Sequence, residues 1–77
     1  MKIIGIRPTQ FKGDSGDDVS GKNFYLTYPL GKGEGLGSER IFITDAKLNK
    51  WTYQPKVGDE VNVQYNRFGR CDGMTKA

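Results

Sequence analysis

Two runs, Lys22-Asn23-Phe24-Tyr25-Leu26-Thr27-Tyr28-Pro29-Leu30 and Arg40-Ile41-Phe42-Ile43-Thr44, decide how the rest of this chain is read. Successive side chains of an extended strand point to opposite faces, so Phe24, Leu26, Tyr28 and Leu30 share one face while Tyr25 and Thr27 share the other. In the second run Ile41 and Ile43 share a face that Phe42 opposes. Between the runs, Gly31, Gly33, Gly35 and Gly37 alternate with Lys32, Glu34 and Leu36, leaving a backbone with wide φ freedom and little side chain to pack. The pattern predicts a long hairpin with a flexible Gly-rich tip. Each of its strands carries an aromatic, Tyr25 or Phe42, on the face that the core does not need.

Upstream, Lys2-Ile3-Ile4-Gly5-Ile6-Arg7 alternates as a first strand with Ile4 and Ile6 on one face. Pro8, which has no N–H to donate, is expected to end its pairing, with Phe11 and Lys12 continuing it after a bulge. Gly13-Asp14-Ser15-Gly16-Asp17-Asp18 reads as a turn-rich loop. Its three aspartates raise the question of calcium, but they lack the EF-hand spacing and its terminal glutamate, and solvated charge accounts for them.

Downstream, Thr44 or Asp45 can cap a turn or two of helix over 46–51, with Leu48 facing inward, before Pro55. A turn over 55–60 leads into Val61-Asn62-Val63-Gln64-Tyr65, a strand with apolar odd positions. Asn66-Arg67-Phe68-Gly69 connects it to a last strand, 70–75, with Met74 as the clearest core residue. Three strands, a short helix and two strands in one all-β domain, 1–77, is the order of a five-stranded, partly open OB-fold barrel, a class that binds oligonucleotides on one face. An SH3-like barrel also suits five short strands; the helix-forming stretch after Thr44 favours the OB arrangement.

At 77 residues, folding buries only about 60% of the surface the unfolded chain exposes, so the core is thin and association into a homodimer is the expected reinforcement. Cys71 is the single cysteine and there is no histidine, which leaves no internal disulfide and too few ligands for structural zinc. One thiol fits a reducing cytoplasm. No segment approaches the roughly 20 apolar residues of a membrane span, and no signal peptide is evident. The net charge of +3 admits a polyanion partner only if the cations gather on one surface.

Catalysis has few materials here. Without histidine there is no Ser-His or Cys-His pair, and Cys71 has no base beside it in sequence, so a buried strand thiol is expected. The pairs Asp17-Asp18 and Asp59-Glu60 sit in turns. The Gly-rich tip matches neither the phosphate loop of nucleotide hydrolases nor the dinucleotide fingerprint. Neither a cofactor nor an enzymatic activity is expected.

The nine aromatics, four Phe, four Tyr and Trp51, exceed what a thin core requires. Phe11, Tyr25, Phe42, Trp51, Tyr53 and Phe68 fall at outward or loop positions. Single-stranded nucleic acid is held by cations on its phosphates and by aromatic faces on which unstacked bases sit. Phe68, between Arg67 and Gly69-Arg70 at a hairpin tip, fits that role best. Tyr25 with Lys22 and Phe42 with Arg40 are further pairs, against which stands a cross-strand aromatic cluster without a ligand. The same surface could serve a small β-barrel protein-interaction module, such as a phage-borne inhibitor or adaptor, as its binding patch.

Three segments resemble the single-stranded DNA-binding proteins of filamentous phages, the gene V protein family: Ile6-Arg7-Pro8-Thr9-Gln10, Ser20-Gly21-Lys22 with Phe24 after it, and Phe68-Gly69 followed by Met74. Ile43-Thr44 before the helical segment also matches. The resemblance implies an OB-fold homodimer that coats single-stranded DNA without strong sequence preference in phage or plasmid replication. It implies DNA contacts at Phe24 or Tyr25, at Phe68, and at Tyr28 as the nearest match to a second-strand tyrosine. The family's arginine-bearing loop corresponds here to 14–18, and its hairpin-loop tyrosine has no counterpart in 31–37. Both departures would weaken binding or shift it to Lys12, Lys22, Lys32, Arg67 and Arg70, apart from the Arg40–Phe42 pair. Nothing in these residues separates DNA from RNA.

Overall fold

The alternation around Phe24 is realised in a strand, β2 (Asp18–Pro29), that pairs antiparallel on both sides, with β1 (Lys2–Lys12) and β3 (Leu36–Thr44). After one helical turn, α1 (Asp45–Leu48), β4 (Val61–Tyr65) and β5 (Cys71–Lys76) form a second, two-stranded antiparallel sheet. The structure is a computed structural model and describes residues 1–77.

Inner faces of the two sheets supply the core: Ile3, Phe24, Leu26, Ile41 and Ile43 from the first, Val61, Cys71 and Met74 from the second, and Leu48 from α1. No polar or charged side chain is buried with them. Phe24 is fully buried, so it cannot meet a ligand; of the two alternatives Phe24 and Tyr25, only Tyr25 reaches the surface. Trp51 and Tyr53, expected outside, pack partly against this core instead. Both lie in the segment between α1 and β4. Thr44 caps the turn of α1 by accepting from Lys47 N, and Gln54 Nε2 closes it by donating to the carbonyls of Leu48 (2.9 Å) and Trp51 (3.0 Å).

Two expectations for β1 are corrected. The register slips between Ile3 and Gly5, so the unpaired Ile4 is extruded, 55% exposed, while Ile3 opposite Leu26 and Ile6 opposite Phe24 take the inner face. Such a bulge re-phases the strand, which simple alternation cannot foresee. Pairing also runs straight through Pro8, opposite Lys22, to Lys12. β1 is an edge strand there, a position that tolerates a missing donor.

The Gly-rich interval is shorter than its glycines suggest, because Gly37 belongs to β3 and lies under the Tyr28 ring. Leu30, expected on the core face, lies beyond the end of β2 and is exposed.

The two sheets share one seam. At the start of β1, Lys2 bridges Glu60, Ile3 N donates to Asp59 O (3.0 Å) and Gly58 N donates to Ile3 O (2.8 Å). On the other side β3 and β5 form no ladder. Side chains span that gap: the Tyr65 hydroxyl donates to both carboxylate oxygens of Glu39 at 2.9 Å, and Lys47 Nζ to Cys71 O at 2.7 Å.

Candidate functional site

Directly paired residues of an antiparallel sheet point to the same side. The outer face of the first sheet can therefore be read from the register. β1 contributes Arg7, Thr9 and Phe11, β2 contributes Gly21, Asn23 and Tyr25, and β3 contributes Arg40, Phe42 and Thr44. No aspartate or glutamate of these strands shares that face. Neither Arg7 nor Arg40 is within salt-bridge distance of a carboxylate.

A glycine lets Phe42 lie flat. The Phe42 ring crosses Gly21, where a Cβ would meet its ring carbons at 2.7 and 2.9 Å, and reaches Phe11 with ring centroids 5.5 Å apart at 53°. Tyr25 packs beside Gly5 at ordinary contact distance, where a Cβ would lie 3.5 Å from Tyr25 Cδ2. Phe42 and Tyr25 are half-buried by this packing, and Phe11 is exposed. The face thus has a Phe11–Phe42 pair towards one end, Tyr25 with Arg40 opposite it towards the other, and Arg7 and Asn23 between them.

Two grooves meet at Arg40. One, of about 340 Å³, is lined by Arg7, Thr9, Asn23, Tyr25 and Arg40 among others. The other, of about 390 Å³, runs through the gap between β3 and β5 and is lined by Arg40 and Phe42 on one side and by Gly69, Arg70 and Cys71 on the other. Glu39 also lines it, with its carboxylate taken up by Tyr65. Burial and that hydrogen bond push the Tyr65 hydroxyl up to about 12, so it stays a donor throughout the physiological range.

Beyond Arg70 stands the tip of the β4–β5 hairpin. Asn66 Oδ1 accepts from Phe68 N (2.9 Å) and Arg70 N (3.1 Å), and Gly69 takes a positive φ of 76°, which together fold the tip. Phe68 is left 73% exposed, with the Arg67 guanidinium carbon 4.9 Å from its ring centroid.

The expected residues thus divide. Tyr25, Arg40 and Phe42 come together on the outer face, and Arg70 joins them across the gap, with Arg67 and Phe68 at the neighbouring tip. Phe24 is core. Tyr28 points to the inner side over Gly37, and Lys22 points inward opposite Ile43, so the expected pairing of Lys22 with Tyr25 does not occur. Lys12 is also on the inner side, opposite Asp18 at the end of the ladder. Arg7 and Asn23 were missed as site residues. Their signal was register: once β1 is placed opposite β2, Arg7, Asn23 and Phe42 form one cross-strand row.

The arrangement offers flat rings and guanidinium donors for binding. Burial pushes the Cys71 thiol up, which keeps it protonated and unreactive. No group of His, Cys, Asp and Glu is placed to hold a metal ion, and no helix is long and apolar enough to cross a membrane. No protein-family model, curated protein or solved structure matches the chain.

Proposed function

We propose that this protein binds single-stranded nucleic acid, DNA foremost, along a track from the outer face of β1-β2-β3 through the β3–β5 gap to the Phe68 tip. We take the two sheets to be an OB-type barrel, joined at β1–β4 and open between β3 and β5. The observation that carries the reading is a sheet face on which Phe11, Tyr25 and Phe42 lie beside Arg7 and Arg40 with no carboxylate among them. Rings there stack on bases, at about 1–3 kcal/mol each, while the guanidinium groups neutralise phosphates. Coating of DNA as a homodimer in phage or plasmid replication, in the host cytoplasm, belongs to the same proposal.

Titration of a fluorescent oligo(dT) with the protein across a salt series tests it, read beside a light-scattering mass for the dimer. Binding that weakens steeply with salt supports the reading. Flat or absent binding at micromolar protein refutes it and turns the same surface over to a protein partner.

A further inference from the structure

Three polar groups in the middle of the outer face form an ordered pattern. Asn23 Nδ2 donates to Thr9 Oγ1 at 2.9 Å, and the Thr9 hydroxyl is in turn directed at Arg7 O, 3.4 Å away. With its NH₂ committed to Thr9, Asn23 keeps Oδ1 as the atom for a ligand, and that oxygen has no protein partner and is not shut away from water. Arg7 stands directly opposite Asn23 on β1, and Arg40 lies one diagonal step away on β3. All four residues line the same groove, with Tyr25 as its aromatic wall. A ligand therefore meets donor, acceptor and donor in sequence.

From this pattern we infer that the groove reads the Watson–Crick edge of one base and selects thymine or uracil, a deepening that rests on the face being a nucleic-acid surface. Thymine and uracil present O2, N3–H and O4, which is acceptor, donor, acceptor, the complement of Arg7, Asn23 Oδ1 and Arg40. Cytosine places its N3 lone pair against Asn23 Oδ1 and its amino group against a guanidinium. Adenine likewise offers an amino donor where the groove offers donors. Splayed-out bases of single strands are recognised on this edge, and acceptor set against acceptor leaves both desolvated without a bond. The selection is for one base per subunit within a binding mode that otherwise tolerates any sequence.

Competition of unlabelled oligo(dT), oligo(dU), oligo(dC) and oligo(dA) against a labelled oligo(dT) provides the test. Oligo(dT) should bind about tenfold or more tighter than oligo(dC), the size of one well-formed multidentate base contact, and oligo(dU) should follow oligo(dT). Flexible pyrimidine runs favour any stacking protein, so the comparison is repeated in Asn23→Leu and Thr9→Val, with thermal melting to establish that each is folded. The dT-to-dC ratio should fall to near one in Asn23→Leu. It should fall in Thr9→Val as well, because the freed amide can turn its NH₂ outward. A ratio that survives both substitutions overturns the inference, as does oligo(dU) behaving like oligo(dC). Equal, salt-sensitive binding of dT and dC by the unaltered protein overturns it too, while leaving the proposed function standing; failure to bind any oligonucleotide removes both.

Discussion

Arg40 is the one side chain that lines both grooves, so Arg40→Ala is the sharpest probe of the track. Arg7, Arg40, Arg67 and Arg70 are the guanidinium groups along it, and none forms an ion pair. A guanidinium has five N–H donors, so Arg7 and Arg40 can hold a base oxygen and a flanking phosphate together; if each of the four neutralises one phosphate, the slope of log affinity against log salt is roughly −3, at about −0.7 per single-strand phosphate. Raising salt from about 50 to 200 mM then weakens the unaltered protein roughly 50-fold. Losing Arg40 brings the slope to about −2 and the same change to roughly 20-fold. Because Arg40 is exposed and unpaired, stability should move by no more than about 0.5 kcal/mol. Fluorescence anisotropy at four or five salt concentrations measures the slope, and thermal melting checks the fold. Arg40→Lys should restore the slope, since counterion release counts charges and not their geometry. An unchanged slope in a stably folded Arg40→Ala would refute the placement of phosphate at this junction, and a flat response of the unaltered protein would refute the track altogether.

Phe68→Ala should weaken oligo(dT) binding by about 1–3 kcal/mol with no drop in melting temperature, because its ring touches a guanidinium and water but no core; a collapse in stability would return it to packing. Phe24→Ala should do the opposite, costing about 3–5 kcal/mol of stability and unfolding a large share of so small a domain on urea titration. Gly21→Ala sets a methyl against the Phe42 ring and the Ile43 carbonyl, so it should destabilise by about 1–3 kcal/mol and loosen Phe42 from Phe11, seen as weaker binding at temperatures where the variant is folded. Tyr53 and Tyr65 are both pushed up from 10 to about 12, by burial first and then by their bonds to Asp59 and Glu39. Raised folded values stabilise the protein fully below pH 10 and cease to do so as pH climbs through 12, so denaturant midpoints should fall across that window and ultraviolet titration should find two late phenols.

Much of the fold was legible because alternation is a local signal. Phe24 with Leu26, and Ile41 with Ile43, are inward as their spacing requires, Leu48 is inward after a Thr44 cap, and Met74 is core. The failures came where one residue changes phase. Ile4 is extruded because Ile3 and Ile6 both find partners on β2, a preference set by the neighbouring strand. The face of Lys22 was legible, but its pairing with Tyr25 was drawn from adjacency along the chain, whereas strand neighbours in space are set by register. Tyr25, Arg40 and Phe42 emerged from composition and parity alone; Arg7 and Asn23 needed the pairing of β1 with β2. Trp51 and Tyr53 could not be placed from sequence, since the path after one helical turn depends on where Gln54 finds carbonyls.

The two sheets are held along one flank by the isolated Lys2–Glu60 bridge and its neighbouring backbone bonds, and along the other by side-chain bonds alone, so the second flank is the weaker. The bonds there, Tyr65–Glu39 and Lys47–Cys71, can break without breaking any strand pairing. Amide exchange should therefore be quicker in β4 and β5, a pair of short strands, than in the longer β1, β2 and β3.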